Sequence, residues 1–580
     1  MIRELVAYYD RLAAGEAPDL PLMGYSRQKI SFCIVLKPDG SLSSFEPVEV
    51  QEGKRTFAKV MTVPGQSKPP GKGFNPGFLW DNLAYMLGFK PDDAKPERTA
   101  QSFEAFRKRH LELEDQIDDP VYTAFCKFLR AWKPSDAAQY PILAKLSAGF
   151  GVVKLAGATQ YLHERPAVRA WWEANGGAAA GDREITAPSL TDGRPHPIAR
   201  LHEPKIKGVV GAQSIGATLV SFNLSAFESY GKSQSYNAPV SVTDAFKYCT
   251  ALNCLTTDRD RKVVLGDTTV VYWAEKPVEL ESVFSYLCEP LSQEDEETKN
   301  LLARFFDRLR RLAPGAEMPE DRVPFYVLGL APNAGRISVR FWLQGTVGAV
   351  EARLKQHLED LQIVGAEDRP PLTLQRILDE TARDRDGISP LLGGEVARAV
   401  LEGGRYPAAL ASAVIRRICA DGIANTNRIS ILKAWLLREA RFFKKREDIT
   451  VSLDPQNPSK AYQLGRLFAV LEKTQQEAAP NLNRTIKDSF FGQASSNPVG
   501  VFPRILKLHT HHLRNIEKPG RRVNLEKLVQ EIMDQIRAGQ PFPAWLPQAE
   551  QGRFFVGYYH QRTSFFTKSD SNDATVEESN

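Results

Sequence analysis

Beyond Asp368-Arg369-Pro370-Pro371 the apolar residues of this chain recur only at spacings of three and four, the period of one helix face, until a polar tail begins. Before that point the pattern switches repeatedly between period two and period 3.6. This change of character constrains the fold more than any single motif. It calls for an α+β chain: a mixed region with several β-hairpins and helices over residues 1–369, then a C-terminal helical bundle over 370–567. The bundle segments include TLQRILDETA, EVARAVLEG, PAALASAVIRRICA, RISILKAWLLREARFFKK, AYQLGRLFAVLEKTQQEA, VFPRILKLHTHHLRNIE, NLEKLVQEIMDQIRAG and EQGRFFVGYYHQRTSFF. Short Gly, Pro and Asn breaks between them favour antiparallel neighbours, and the absence of a fixed period argues against a solenoid.

Three hairpins are legible before residue 370. KISFCIVL turns at Pro38-Asp39-Gly40 into SLSSFEPVEV, KVVLGDTTVVYWA turns at Gly266-Asp267, and VPFYVLGLAPNAGRISVRFWL turns near Asn333-Ala334-Gly335. Helical patterns occupy MIRELVAYYDRLAAGE, FLWDNLAYMLGF, SFEAFRKRHLELE, VYTAFCKFLRAW, the stretch 165–173 and VTDAFKYCTALNCL, where Asp244 falls in the first turn. A long low-complexity loop, 175–196, separates two of these helices and carries no functional expectation.

A length of 580 residues exceeds one compact core, roughly 150 residues being usual for a domain. At 42% hydrophobic and 25% charged residues the composition is that of a globular chain, and only the tail 568–580, KSDSNDATVEESN, is expected to be disordered. The first helix lacks the unbroken apolar core of a signal peptide, and no segment is long enough to span a bilayer. Six cysteines lie scattered without C-x-x-C spacing, which points away from a zinc ribbon or a disulfide framework and towards the cytoplasm.

Charge is distributed unevenly. The whole chain carries +5, but residues 431–530 hold 18 Lys and Arg against nine Asp and Glu, leaving −4 elsewhere. A stretch that includes Arg438, Arg441, Lys444, Lys445 and Arg446 suits a surface following a phosphate backbone, although a solvated helix face explains any single run such as FFKKRED.

Residues 205–241, KIKGVVGAQSIGATLVSFNLSAFESYGKSQSYNAPVS, concentrate short polar side chains around Gly208, Gly211, Gly216 and Gly231. Glycines let backbone approach a ligand and the Gln, Ser, Asn and Tyr side chains supply donors and acceptors, so the run reads as a loop-rich binding surface around one strand, TLVSF (Thr218 to Phe222). A plain Gly/Ser connection is the competing reading.

Catalytic motifs are missing from this sequence. GQSKPPGKG (65–73) has the glycines and lysines of a phosphate loop, but the prolines and Gly73 in place of Ser or Thr exclude a Walker A loop. Its Lys68 and Lys72, followed by Phe74-Asn75, would suit a loop laid against nucleic acid. Asp267 and Glu275-Lys276 hint at a metal-dependent nuclease, but acid and lysine are adjacent where such sites need a residue between them to share one strand face. His509, His511 and His512 form the only histidine cluster and lack a nearby carboxylate or cysteine to complete a metal site. No cofactor is expected.

The run 205–241, together with FNPGFLWDNLAYMLG upstream, YLHERPAVRAWWE, LGDTTVVYWAE and FYVLGLAPNAGRISVRFWL, resembles the large subunit of the type I-C CRISPR Cascade surveillance complex. The resemblance runs from the first helix through the C-terminal bundle. It implies a non-catalytic recognition subunit that reads the protospacer-adjacent motif in foreign duplex DNA, starts strand separation and R-loop formation, and docks a helicase-nuclease. Its partners would be the 5′ handle of the guide RNA, target double-stranded DNA and its displaced strand, backbone subunits and small subunits. The helical region is also expected to be made separately, from an internal start, as a small subunit.

Under that resemblance the expected motif readers are Gln213, Ser214, Ser221, Asn223, Tyr230, Asn237 and Asn75. A good bidentate contact to a base edge contributes about 1–3 kcal/mol of discrimination. The expected phosphate contacts are Lys72, Lys205, Lys207, Lys232, Arg441, Lys444 and Lys445, with Tyr230 or Phe74 stacking on an unpaired base. The alternatives are a nuclease using Asp267 and Glu275, and an assembly protein whose basic bundle only grips guide RNA.

Overall fold

A computed structural model describes residues 1–15, 20–52, 55–65, 73–146, 149–175, 185–289, 296–311, 319–367, 369–536 and 542–566. The fold class is α+β, and the chain divides into two compact units: residues 1–206 with 218–253, and residues 207–217 with 254–580. The 369/370 junction expected from the sequence pattern falls inside the second unit.

The first unit is built on β1 (Tyr25–Leu36), β2 (Leu42–Pro47), β3 (Glu49–Glu52), β4 (Arg55–Pro64) and β5 (Phe150–Leu155). The hairpin turning at Pro38-Asp39-Gly40 is present as antiparallel β1 and β2. β1 also pairs β4 antiparallel and β5 in parallel. Cys33 to Leu36 are buried on both faces because alternate residues enter two clusters. Phe32, Ile34 and Leu36 meet the helices, whereas Ile30, Cys33 and Val35 meet Val63, Trp80 and Val152.

Around this sheet lie α1 (Ile2–Ala14), α2 (Leu83–Leu87), α3 (Pro96–Leu111), α4 (Pro120–Ala131), α5 (Ile142–Lys145), α6 (Pro166–Asn175) and the first part of α7 (Val242–Thr257). The FLWDNLAYMLGF pattern yields only the short α2, because Asn82 caps it at the start and Gly88 ends it in the left-handed region. α4 shows why a predicted helix forms where it does. Asp119 accepts from the amides of Val121 (2.8 Å) and Tyr122 (3.2 Å), Pro120 sits at the first helical position, and the face Val121, Tyr122, Phe125, Phe128, Leu129 is buried. Within the loop 175–196, residues 176–184 lie outside the described residues, and the remainder holds a small hairpin, β6 (Thr186–Pro188) and β7 (Pro195–Pro197).

In the second unit β8 (Lys262–Leu265), β9 (Thr268–Ala274), β10 (Pro324–Asn333) and β11 (Arg336–Thr346) form an antiparallel meander, so both remaining predicted hairpins are present. Trp273, Tyr326 and Trp342 stack across three of its strands, with ring centroids 5.2 and 5.7 Å apart. The opposite face sends Tyr272, Phe325 and Phe341 into a core shared with the helices.

Those helices are α8 (Glu279–Cys288), α9 (Glu296–Arg311), α10 (Val347–Leu361), α11 (Leu374–Asp379), α12 (Pro390–Glu402), α13 (Ala408–Asp421), α14 (Thr426–Phe442), α15 (Lys460–Ala478), α16 (Ile486–Ser496), α17 (Pro498–Arg514), α18 (Pro519–Gln535) and α19 (Gln548–Ser564). One hydrophobic cluster extends from Val263 on the sheet to Tyr559 in α19, so sheet and bundle share a core. α15 and α19 approach backbone to backbone. A Cβ on Gly465 would lie 1.9 Å from the Phe554 carbonyl oxygen, and one on Gly557 would lie 2.2 Å from that of Tyr462. Among the described residues no helix is long and apolar enough to cross a membrane.

Candidate nucleic-acid interface

The run 205–241 does not form one continuous surface on one unit. Lys205 belongs to the first unit, 207–217 to the second, and 218–241 to the first again. The 207–217 segment is tied down through its backbone: the Thr256 hydroxyl donates to the Lys207 carbonyl at 2.7 Å, and the Val210 amide donates to Thr269 Oγ1 at 3.0 Å. Gly208 and Gly211 take positive φ there, and two successive turns, Val209–Ala212 and Gln213–Gly216, leave Gln213, Ser214 and Ile215 exposed. These residues therefore project from a fixed backbone, as base-reading side chains require.

TLVSF is not a strand. Apart from an isolated β-bridge at Thr218, residues 219–224 are irregular, and the chain next makes a single 3-10 turn at Ser225–Phe227. A β-branched apolar run forms a strand only where a neighbouring strand supplies hydrogen bonds, and no named strand pairs with it among the described residues. Ser221 is half-buried here and Asn223 is exposed.

Next comes a sharply defined turn. The Lys232 amide donates to the Ser229 carbonyl at 3.0 Å, and both central residues, Tyr230 at φ +53° and Gly231 at φ +66°, have positive φ, as in a type I′ turn. Gly231 adopts this freely, whereas a tyrosine there costs about 1–3 kcal/mol. No packing offsets that strain, since Tyr230 is 97% exposed.

Asn237 holds the turn in place. Its Oδ1 accepts from the Ser229 amide at 2.8 Å, while its Nδ2 donates to the carbonyls of Lys232 (2.7 Å) and Gln234 (2.9 Å). Arg200 anchors the far side, donating to Gln234 Oε1 at 2.8 Å and accepting the Ser235 amide at its carbonyl. The Asn237 amide is thus committed to backbone groups, and what the turn presents to solvent is Tyr230 and Lys232. Lys205 and Lys207 are also exposed. Lys68 and Lys72 in the loop 65–77 lie outside the described residues, while Phe74 and Asn75 are exposed and the Arg98 guanidinium sits 5.3 Å from the Phe74 ring centre.

The basic stretch of the bundle separates into interior and surface cations. Arg438, 2% exposed, donates to Asp360 and to the carbonyls of Ala399 and Gly404. Lys433 donates to the Asp360 carbonyl at 2.9 Å, and burial pushes its ammonium down to about 8. Arg441 is shared between Asp360 and Glu447, whereas Lys444, Lys445 and Arg446 are exposed beyond the end of α14. Part of the positive excess therefore holds helices together.

A second set of surface cations was not singled out by sequence reasoning. Arg504, Lys507, His511 and Arg514 are all exposed on α17 at spacings of three and four, so they form one stripe. Among the described residues none of these three Lys and Arg side chains joins an ion pair. Their three-and-four spacing in VFPRILKLHTHHLRNIE is the signal that marks them in the sequence. His509 faces inward, 5% exposed, and burial pushes it down to about 4.

The nuclease alternative is not supported. Asp267 accepts from Arg340 at 2.7 Å and Glu275 from the Tyr326 hydroxyl at 2.7 Å, so both carboxylates are already engaged. Among the described residues no group of three potential metal ligands comes together.

No curated protein matches this chain. The profile of a family described as CRISPR-associated protein (Cas_Csd1) matches residues 5–566, which takes in the exposed turn, the sheet and the helical bundle alike. A match of that extent places the chain, both units included, in the Cas_Csd1 family of CRISPR-associated proteins.

Proposed function

We propose that this chain is the non-catalytic large subunit of a type I-C CRISPR surveillance complex, reading the protospacer-adjacent motif in foreign duplex DNA and starting strand separation. Family membership supports the CRISPR setting. The observation that carries the recognition role is the Ser229–Lys232 turn, which spends backbone strain to keep Tyr230 in solvent beside Lys232 and is clasped by Asn237. An aromatic ring held outward on a rigid turn can stack on a base as it leaves the duplex, with the neighbouring ammonium on a phosphate. Opening one step costs about 1.4 kcal/mol, comparable to what one stacked ring returns. Gln213 and Asn223 remain the candidates for base-edge contacts.

In this reading the guide RNA 5′ handle, backbone subunits and small subunits are assembly partners, the α17 stripe follows the phosphates of the displaced strand, and a helicase-nuclease docks elsewhere on the chain. The test is a gel shift of the assembled complex on target duplexes with correct and incorrect motifs. Gln213→Ala/Asn223→Ala should abolish discrimination, and Tyr230→Ala should slow strand opening read by permanganate reactivity. Asn237→Ala should copy Tyr230→Ala because it frees the turn. Target binding by the unaltered complex that ignores the motif would favour a purely assembling role and sink the proposal.

A further inference from the structure

α14 ends in an unusual way. The Lys445 amide donates to the Ala440 carbonyl at 2.8 Å and the Lys444 amide to that of Arg441 at 3.0 Å, the paired bonds of a Schellman cap. Such a cap needs its first residue past the helix in the left-handed region, where glycine is the usual occupant. Among the described residues, three other helix ends have glycine at positive φ: Gly88, Gly403 and Gly422. Here the residue is Lys444, at φ +51°. The attraction of a cation to the helix C-terminus does not require this conformation, since any residue of the last turn could supply it.

Just before the cap, Phe442 and Phe443 stand 60% and 52% exposed, their ring centroids 5.1 Å apart and nearly perpendicular. The Arg405 guanidinium lies 4.6 Å from the first ring centre and 5.5 Å from the second, and the Lys445 ammonium lies 5.8 Å from the second. Glu447 is held by Arg441, and Glu439 lies 3.6 Å from Arg405, so among the described residues the platform's cations outside ion pairs are Lys444 and Lys445. Two exposed rings interleaved with cations match the chemistry that grips unpaired nucleic acid: π-faces for bases, ammonium and guanidinium groups for phosphates. A duplex, with its bases stacked inward, offers those rings nothing.

We infer that Phe442 and Phe443, with Arg405, Lys444 and Lys445, form a base-stacking platform for single-stranded nucleic acid. This deepens the proposed function, resting on it only for the identity of the strand. The test measures binding of the full-length chain to fluorescent single-stranded DNA, single-stranded RNA and blunt duplex of one sequence by anisotropy. Phe442→Ala/Phe443→Ala should weaken single-strand binding at least about fivefold with an unchanged salt slope, since no charge is removed. Phe442→Tyr/Phe443→Tyr should retain affinity. Lys444→Gly should weaken binding while the thermal midpoint holds or rises, because glycine suits the cap better. The DNA and RNA arms identify which strand is preferred.

Unchanged single-strand affinity in the double alanine variant, or an equal loss on blunt duplex, would overturn the platform. So would lost assembly with purified backbone subunits at unchanged strand affinity, which would make the pair a protein contact. Motif-independent target binding by the complex would instead sink the recognition reading and leave the platform standing.

Discussion

Arg438 of α14 and Asp360 of α10 form an ion pair in the interior of the second unit, Nε to Oδ2 at 2.9 Å, with side chains 2% and 1% exposed. Asp360 also accepts from Arg441, and its backbone carbonyl accepts from Lys433. The arrangement is asymmetric: one carboxylate serves two guanidiniums. Removing the carboxylate strands a buried cation, whereas removing Arg438 leaves Asp360 paired with Arg441.

Asp360→Asn should therefore destabilise the protein by about 3–5 kcal/mol, the usual cost of leaving a buried charge unpaired. Arg438→Met should cost clearly less. Thermal or urea unfolding of the two variants checks the order, and equal losses would show that Arg441 does not compensate.

The crossing of α15 and α19 depends on two glycines. Gly465→Ala places a methyl group 1.9 Å from a carbonyl oxygen, with only backbone to give way, so the helices must separate. A loss of about 3 kcal/mol or failure to fold is expected. Gly552→Ala, whose Cβ would meet Leu436 Cδ1 at 3.5 Å, provides the tolerated control in α19. Comparable midpoints for the two variants would contradict this packing.

The α17 stripe predicts an electrostatic signature. Reversing Arg504, Lys507 and Arg514 to Glu should leave folding intact, because all three are exposed and outside ion pairs among the described residues. Binding of single-stranded DNA should weaken, and the slope of log affinity against log salt should fall by about 0.7 for each phosphate that the stripe no longer neutralises. An unchanged slope would remove the stripe from the strand path.

Acid should weaken both units before carboxylates titrate. In the first, the Leu79 amide donates to His110 Nε2 at 3.0 Å while Nδ1 faces the Phe106 carbonyl at 2.8 Å, so the ring is neutral, and burial pushes it down to about 3. In the second, burial pushes His357 down to about 3 and His560 to about 4. Unfolding raises each to its ordinary value near 6.5, so between that value and the folded one the unfolded chain binds more protons and stability falls as pH falls. The loss is about 1.4 kcal/mol per pH unit for each such histidine. Urea midpoints at pH 7.5 and 5.0, followed by tryptophan fluorescence, should show the lower value at pH 5.0.

Local pattern carried much of the architecture. The three hairpins lie where alternating apolar residues and turn chemistry placed them, and the helices after Pro370 follow their three-and-four spacing, because both signals depend on residues a few positions apart. The parallel pairing of β1 with β5 was not legible, since nothing in Phe150–Leu155 names a partner more than a hundred residues earlier. Nor could TLVSF be recognised as irregular, because a strand exists only through its neighbours.

At the candidate interface the sequence by itself determined which residue types were available: a glycine-punctuated polar run, an excess of cations after residue 431 and no catalytic motif. Tertiary structure decided their use. It divided the polar run between two units, committed the Asn237 amide to holding a turn and left Tyr230 in solvent, buried Lys433 and Arg438 against Asp360, and exposed Arg504, Lys507 and Arg514. The reason is physical. Composition fixes the donors, rings and charges a chain owns, but whether each faces water or another part of the protein depends on packing between segments distant in sequence.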